Sequence, residues 1–293
     1  MTYVEVSGAR IRYHATGPDD GPPIVLLHGI GRSLEDWQLQ HSRLPADHRV
    51  ISLDLPGFGL SQRFSSITSL ESLAGAVWQI LGALGVTGPV HLMGNSLGGA
   101  VAMRMTVDDP ARVRTLTLVN SAGFGRTVTA ALRILALPGL GRPLLRRMAD
   151  PRIARRTERS IFFDGTLVTP ERIETAVKIA RQPDFAQVYL EAARALGGLR
   201  GVAPKWRREL LPRVARLGKP TLLMWGARDL ILPSAHLEAA RLAFPQARTH
   251  LFPDTGHMPQ IERPDEFAEV VRPQLVADAD ADDASPSRPQ EAR

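Results

Sequence analysis

The 293-residue chain carries 36 basic and 30 acidic side chains, is 44% hydrophobic and contains no cysteine. That is enough chain for one large α/β domain with an insertion and a sizeable core, and it excludes disulfides, thiol catalysis and cysteine-bound metal. The eight histidines lack metal-ligand spacing, so neither metal nor cofactor is expected. No run approaches the roughly 18 uncharged apolar residues of a membrane span, and the start of the chain, Met1-Thr2-Tyr3-Val4-Glu5-Val6, has no basic segment followed by an apolar one. A cytoplasmic protein is expected.

The elements alternate along the chain. Tyr3 to Val6 and Ile11 to His14 flank Ser7-Gly8-Ala9 and read as a hairpin. Apolar strand-like runs follow at Ile24 to Leu27, Val50 to Leu53, Val90 to Met93, Val113 to Val119, Thr221 to Trp225 and Arg248 to Phe252. Helical patterns stand between and after them at Leu34 to Leu44, Leu70 to Leu84, Leu97 to Val107, Ser234 to Ala243 and Pro264 to Val276. Unbroken apolar strands separated by helices predict a mainly parallel sheet covered on both faces, with an antiparallel edge. Residues 124–205 break the alternation and read as an inserted helical cap between core parts 1–123 and 206–276, and the Ala-Asp-rich tail 277–293 is expected to be disordered.

The net charge of +6 is uneven: from Arg126 to Arg216 there are 19 basic and 8 acidic residues. A solvated basic face accounts for this, as does attraction to an anionic substrate or a membrane surface. Nucleic acid is not an expected partner, because the arginines are scattered and aromatics make up only 5% of the chain.

Ligands of open α/β sheets sit at the carboxyl ends of strands, so chemistry belongs in the loops just after them. Four such loops carry reactive groups: His28-Gly29-Ile30-Gly31, Gly94-Asn95-Ser96-Leu97-Gly98, Gly226-Ala227-Arg228-Asp229 and Asp254-Thr255-Gly256-His257. A serine hydroxyl is a weak nucleophile and needs a neutral imidazole to take its proton; a carboxylate on the other ring nitrogen fixes the tautomer. Ser96, His257 and Asp229 are the candidate catalytic residues, with Asp254 a rival acid. The backbone N–H groups of Ile30 and Leu97 are the candidate oxyanion hole. His28, Gly29, Asn95, Met258, Phe162 and Phe163 are candidate substrate-binding residues, and His28 is expected to shape the oxyanion loop through hydrogen bonds rather than to transfer protons. His236 and His250 read as structural or exposed.

With these residues in place, the chain resembles the α/β-hydrolase superfamily from about residue 3 to 275, including Asp54-Leu55-Pro56-Gly57-Phe58-Gly59-Leu60-Ser61, similar to that family's D-x-P-G-x-G-x-S loop. The resemblance implies a mostly parallel eight-stranded sheet with an inserted helical cap. A serine at the elbow argues against the haloalkane dehalogenases and epoxide hydrolases, which use aspartate there. Gly94-Asn95-Ser96-Leu97-Gly98-Gly99 resembles the elbow of bacterial meta-cleavage-product hydrolases, which cut a C–C bond in vinylogous 1,5-diketones. Two positions depart from that pattern: Met258 stands where tryptophan is usual, and Thr175 where a cap arginine holds the substrate carboxylate, with Arg172 and Arg181 nearby. Asn120 occupies another place for the acid but is an amide. The expected activity is hydrolysis of small-molecule carboxylic esters with apolar acyl groups through an acyl-enzyme on Ser96. The alternatives are C–C hydrolysis of 2-hydroxy-6-oxo-dienoate diketones and a ligand-binding protein without activity.

Overall fold

Strands that are apolar on both sides must be covered on both faces. In the computed structural model, which describes residues 2–135, 137 and 139–276, they form one eight-stranded sheet. β1 (Thr2–Val6) and β2 (Ala9–Thr16) pair as the antiparallel hairpin. They are followed by β3 (Pro23–Leu27), β4 (Arg49–Leu53), α1 (Leu70–Ala83), β5 (Val90–Asn95), α2 (Leu97–Asp108) and β6 (Val113–Val119). Next come α3 (Ala130–Leu135), α4 (Gly141–Arg146), α5 (Pro151–Arg159), α6 (Pro170–Ala180) and α7 (Phe185–Leu196), then the two-residue strands β7 (Gly197–Gly198) and β8 (Gly201–Val202). The chain closes with α8 (Pro204–Arg216), β9 (Thr221–Gly226), α9 (Ala235–Ala243), β10 (Arg248–Phe252), α10 (Pro259–Glu262) and α11 (Pro264–Val276).

The sheet order is β1-β2-β4-β3-β5-β6-β9-β10. β2 meets β4 antiparallel, and every later neighbour pair is parallel. One face is covered by a core joining Ile80 and Val77 of α1, Val101 of α2 and Leu210 and Val214 of α8. The other is covered by Trp37, Phe267 and Val271 over Ile24, Leu26 and Met93. α1 starts at a reciprocal cap, in which Ser69 Oγ accepts from the Ser72 N–H at 3.1 Å and Ser72 Oγ accepts from the Ser69 N–H at 2.8 Å.

Two expectations change. The run from Leu34 to Leu44 is not an α-helix but a tight 3-10 stretch over Leu34–Gln40. Its first N–H, that of Leu34, is held by the Asp54 carboxylate at 2.8 Å, and Trp37 is wedged edge-on against Phe267. These fixed points favour one short, tightly wound segment, and Pro45 follows too soon for an α-helix to extend. The region expected to be wholly helical also holds the β7–β8 pair, and α8 begins at Pro204 with its buried side chains in the main core. The expectation for 277–293 lies outside the described residues.

Burial holds several histidine rings below the ordinary 6.5: His41 at about 4, with His14 adding to the effect, and His91 at about 3, with His48 and Arg114 adding to it. Such a ring takes its proton in the unfolded chain before it does so in the folded one. Its stabilising contribution is therefore complete above the unfolded value and is lost as pH falls toward the folded value. At 1.36 kcal/mol per pH unit, going from pH 7.5 to 5 costs about 2 kcal/mol per ring. His91 Nδ1 lies 2.9 Å from Thr115 Oγ1, so His91→Gln retains a polar partner without the titration. Urea unfolding at the two pH values is expected to show the variant losing about 2 kcal/mol less than wild type.

Candidate functional site

β5 ends at a reversal so sharp that strand and helix nearly touch. Ser96 sits at its apex with φ 54° and ψ −112°, a strained conformation for a residue with a side chain. The strain is held from both sides: the Ser96 N–H donates to Val119 O at 3.0 Å, and Ser96 O accepts from the N–H groups of Gly99 at 3.2 Å and Ala122 at 3.0 Å. A β-carbon at Gly94 would run into the backbone of Gly98, and one at Gly98 into the backbone of Leu27. The glycines are a steric requirement of this turn.

Asp229, just beyond β9, is 6% exposed. Its Oδ2 receives His257 Nδ1 at 2.7 Å and the Asn120 amide at 2.6 Å, while its Oδ1 accepts the N–H groups of Ile231 at 2.7 Å and Leu232 at 3.0 Å. Four donors thus fix the carboxylate. The rival, Asp254, is exposed and pairs with Arg228 at 3.6 Å. Asn120 takes part as a donor to the acid. The loop bearing His257 is pinned as well: its N–H donates to Ile161 O at 2.8 Å, and Glu262 Oε1 accepts from the Gly256 N–H at 2.6 Å. Asn95 Nδ2 donates to His257 O at 3.1 Å and to Val119 O at 3.2 Å, tying this loop to the elbow.

Ile30 lies in the loop after β3, and Leu97 opens α2, where the first N–H groups have no intrahelical carbonyl. His28 supports that loop from behind. It is fully buried, with Nδ1 at 2.7 Å from Gly29 O and Nε2 accepting the Leu55 N–H at 3.0 Å. These bonds assign the proton to Nδ1, and burial lowers the ring's affinity for a second one.

A cavity of about 470 Å³ connects these loops; Gly29, Ile30, Asn95, Ser96, His257 and Met258 line it, with Leu132, Leu135, Leu144, Met148, Phe185 and Tyr189 from the helical segment. Three expected substrate contacts fail. His28 spends both ring nitrogens on backbone and does not reach the cavity. Phe162 is turned into an apolar cluster with Ile173, Val177 and Ile261, under the Arg172 guanidinium at 5.3 Å, and Phe163 points outward at 52% exposure. Neither Arg172 nor Arg181 lines the cavity, and Thr175 lies in a separate depression beside Arg172. The charged wall residues that sequence reasoning missed are Arg32 and Glu158. Only the setting of Glu158, an acid within Arg155-Arg156-Thr157-Glu158-Arg159, offered a signal.

The model of the family described as "alpha/beta hydrolase fold" matches residues 22–264, and the chain belongs to that family. It is 32% identical over 273 residues to the dihydrolipoyllysine-residue acetyltransferase component of the acetoin cleaving system of Pseudomonas putida, covering 93% of this chain and 67% of that protein. It is 28% identical over 276 residues to the 2-hydroxy-6-oxo-6-phenylhexa-2,4-dienoate hydrolase of Comamonas testosteroni, covering 90% of each. Among solved structures it is similar to a thermophilic esterase from Thermogutta terrifontis, with a TM-score of 0.75 and 27% identity over 94% of this chain and 99% of that one.

His28→Ala leaves the Leu55 N–H and one acceptor site of Gly29 buried without their ring partner. At about 1–3 kcal/mol per unpaired group, urea unfolding is expected to show a loss of about 3 kcal/mol.

Proposed function

We propose that the protein is a serine hydrolase that cleaves carboxylic esters with apolar acyl groups through an acyl-enzyme on Ser96. In this reading, Ser96 Oγ attacks the ester carbonyl while its proton passes to Nε2 of His257. The Asp229 carboxylate holds the imidazole by Nδ1 and stabilises the imidazolium. The carbonyl oxygen gains negative charge and is stabilised by the N–H groups of Ile30 and Leu97, a kind of contact worth about 3–4 kcal/mol of barrier per donor in serine hydrolases. His257 gives its proton to the departing alcohol. It then takes one from the water that attacks the acyl-enzyme, and returns it to Ser96 Oγ as the acid is released.

The observation that carries this reading is the 2.7 Å contact of His257 Nδ1 with an Asp229 carboxylate held by three further donors, beside a serine on the same cavity wall. Residues 124–205 act as a cap that walls the cavity with leucines and excludes water from the acyl group.

C–C hydrolysis of a 2-hydroxy-6-oxo-dienoate is the second reading, and the similar proteins fit it more than the ester: relatives from Comamonas testosteroni and a Pseudomonas species are named as hydrolases of such compounds. The charge of the cavity favours the ester. A dienoate brings a carboxylate, whereas the lining guanidinium, that of Arg32, is already held by Asp36 at 2.7 Å and by Glu158. Aryl esters of increasing acyl length and a 2-hydroxy-6-oxo-dienoate, assayed in parallel on wild type and Ser96→Ala, separate the two. Ester turnover at least 10³-fold above that of Ser96→Ala is expected; rapid diketone cleavage with negligible ester turnover contradicts the ester reading.

A further inference from the structure

Part of the positive excess in residues 126–216 gathers at one place in the fold. A groove of about 1100 Å³ is walled by α8 and the β7–β8 hairpin, and it holds Arg126, Arg200, Arg207 and Arg208 with no acidic side chain among them. Arg133, on α3, reaches the same hairpin. Three of these guanidinium groups are pinned by backbone carbonyls: Arg126 Nε donates to Arg200 O at 2.8 Å, Arg133 Nε to Leu199 O at 2.6 Å and Arg207 Nε to Gly123 O at 2.6 Å. Among the described residues, no carboxylate pairs with any of the five. Burial and, after it, the like charge of Arg208 lower the hold of Arg207 on its proton.

Pinned cations without counter-ions attract an anion, and the apolar groups exposed beside them narrow its form. The turn between β7 and β8 carries Leu199 at 52% exposure next to Arg200, and α3 carries Ile134 at 43% exposure next to Arg133. A small soluble anion gains nothing from these aliphatic side chains. A nucleic-acid strand needs rings on which its bases can stack, and the groove is walled by arginine, glycine and aliphatic residues without an aromatic one. A bilayer interface suits both parts, because aliphatic side chains enter the acyl boundary while guanidinium groups meet lipid phosphates.

We propose that this face, made of the β7–β8 turn, α3 and the start of α8, docks on an anionic lipid bilayer. Leu199 and Ile134 enter the acyl boundary, and Arg126, Arg133, Arg200, Arg207 and Arg208 meet the headgroup phosphates. Guanidinium groups already held by the backbone lose little freedom on binding. Docking of this kind does not depend on the ester reading. It bears on the site through its place: a small cavity of about 60 Å³ that Ser96 lines is also lined by Arg133, Gly198 and Gly201, so the docked face adjoins the serine. Arg152 and Arg155 of α5 are exposed as well but lie outside the groove, and they serve as an internal control.

Co-sedimentation with vesicles measures this without any turnover. Wild type is expected to bind vesicles of phosphatidylcholine with about 30% phosphatidylglycerol at least roughly 20-fold more tightly than vesicles of phosphatidylcholine alone, and raising the salt from about 0.1 to about 0.5 M is expected to weaken that binding roughly ten-fold. Each unit of charge near such a surface is worth about five-fold in affinity. Arg200→Glu/Arg208→Glu, which removes none of the three pinning bonds, is therefore expected to lose at least about 50-fold on the anionic vesicles. Arg152→Glu/Arg155→Glu changes the net charge equally and is expected to lose less than about five-fold, since its charges stand off the docked face. Leu199→Ser is expected to lose about three-fold or more. No binding by wild type, equal binding to the two kinds of vesicle, or equal losses in the two arginine pairs overturns the proposal. Full affinity in Leu199→Ser, displacement of the vesicles by millimolar pyrophosphate, or tighter binding of a single-stranded oligonucleotide also overturns it, by giving the patch to a soluble anion or a nucleic acid.

Discussion

The architecture of the site depends on one steric constraint, the near contact of β5 and α2 at Ser96. The chain reverses there within a residue, forcing φ to 54°, and the space is free because Gly94 and Gly98 have no side chains. Backbone strain of this size costs on the order of 1–3 kcal/mol. It is offset by the bonds from Ser96 N to Val119 O and from Ala122 N to Ser96 O, which clamp the turn to the neighbouring strand and the loop after it. The result is a hydroxyl-bearing residue raised at the carboxyl edge of the sheet, with the start of a helix immediately behind it.

Everything else at the site is held relative to that point by buried polar contacts. Asn95 links the elbow to the His257 loop, and Asp229 and Glu262 hold that loop from two other directions. His28 braces the loop carrying Ile30. The helical segment joins the same network through two contacts, His257 N–H to Ile161 O and Arg32 to Glu158. Shifts of the helical segment are therefore felt by both loops that flank the serine. Hydrogen bonds shared this way stabilise the site most when every member is satisfied; among the described residues, Thr255 Oγ1 on the His257 loop and Glu158 Oε2 are buried without a partner.

The sheet was legible because its strands are unbroken apolar runs between turn residues, and Ser96, Asp229 and His257 were legible as neighbours because loops after parallel strands converge at one edge. Packing between the helical segment and the sheet was not. Phe162 and Phe163 are adjacent in sequence and equally apolar, yet one is 4% and the other 52% exposed. Phe162 shares an apolar cluster with Met258 and Ile261 and Phe163 does not, a tertiary fact with no local pattern. His28 follows a strand, and its role in shaping the loop was legible from that place, but a substrate contact was not to be had, because both of its nitrogens serve the backbone of neighbouring loops. Arg32 and Glu158, 126 residues apart, pair only because the helical segment folds over the sheet edge. The 3-10 stretch at Leu34 misled for a related reason: its apolar spacing suits a helix, while its length is set by Asp54 and Trp37.

Covalent labelling addresses the central claim most directly, namely that Ser96 is a nucleophile activated by His257 and Asp229. The protein is treated with a fluorophosphonate at neutral pH, digested, and the modified peptide identified by mass spectrometry. The account predicts one adduct, on Ser96, forming at least 10²-fold more slowly in His257→Ala and absent in Ser96→Ala. An unlabelled Ser96 in the folded wild-type protein, or labelling at an undiminished rate without His257, contradicts it.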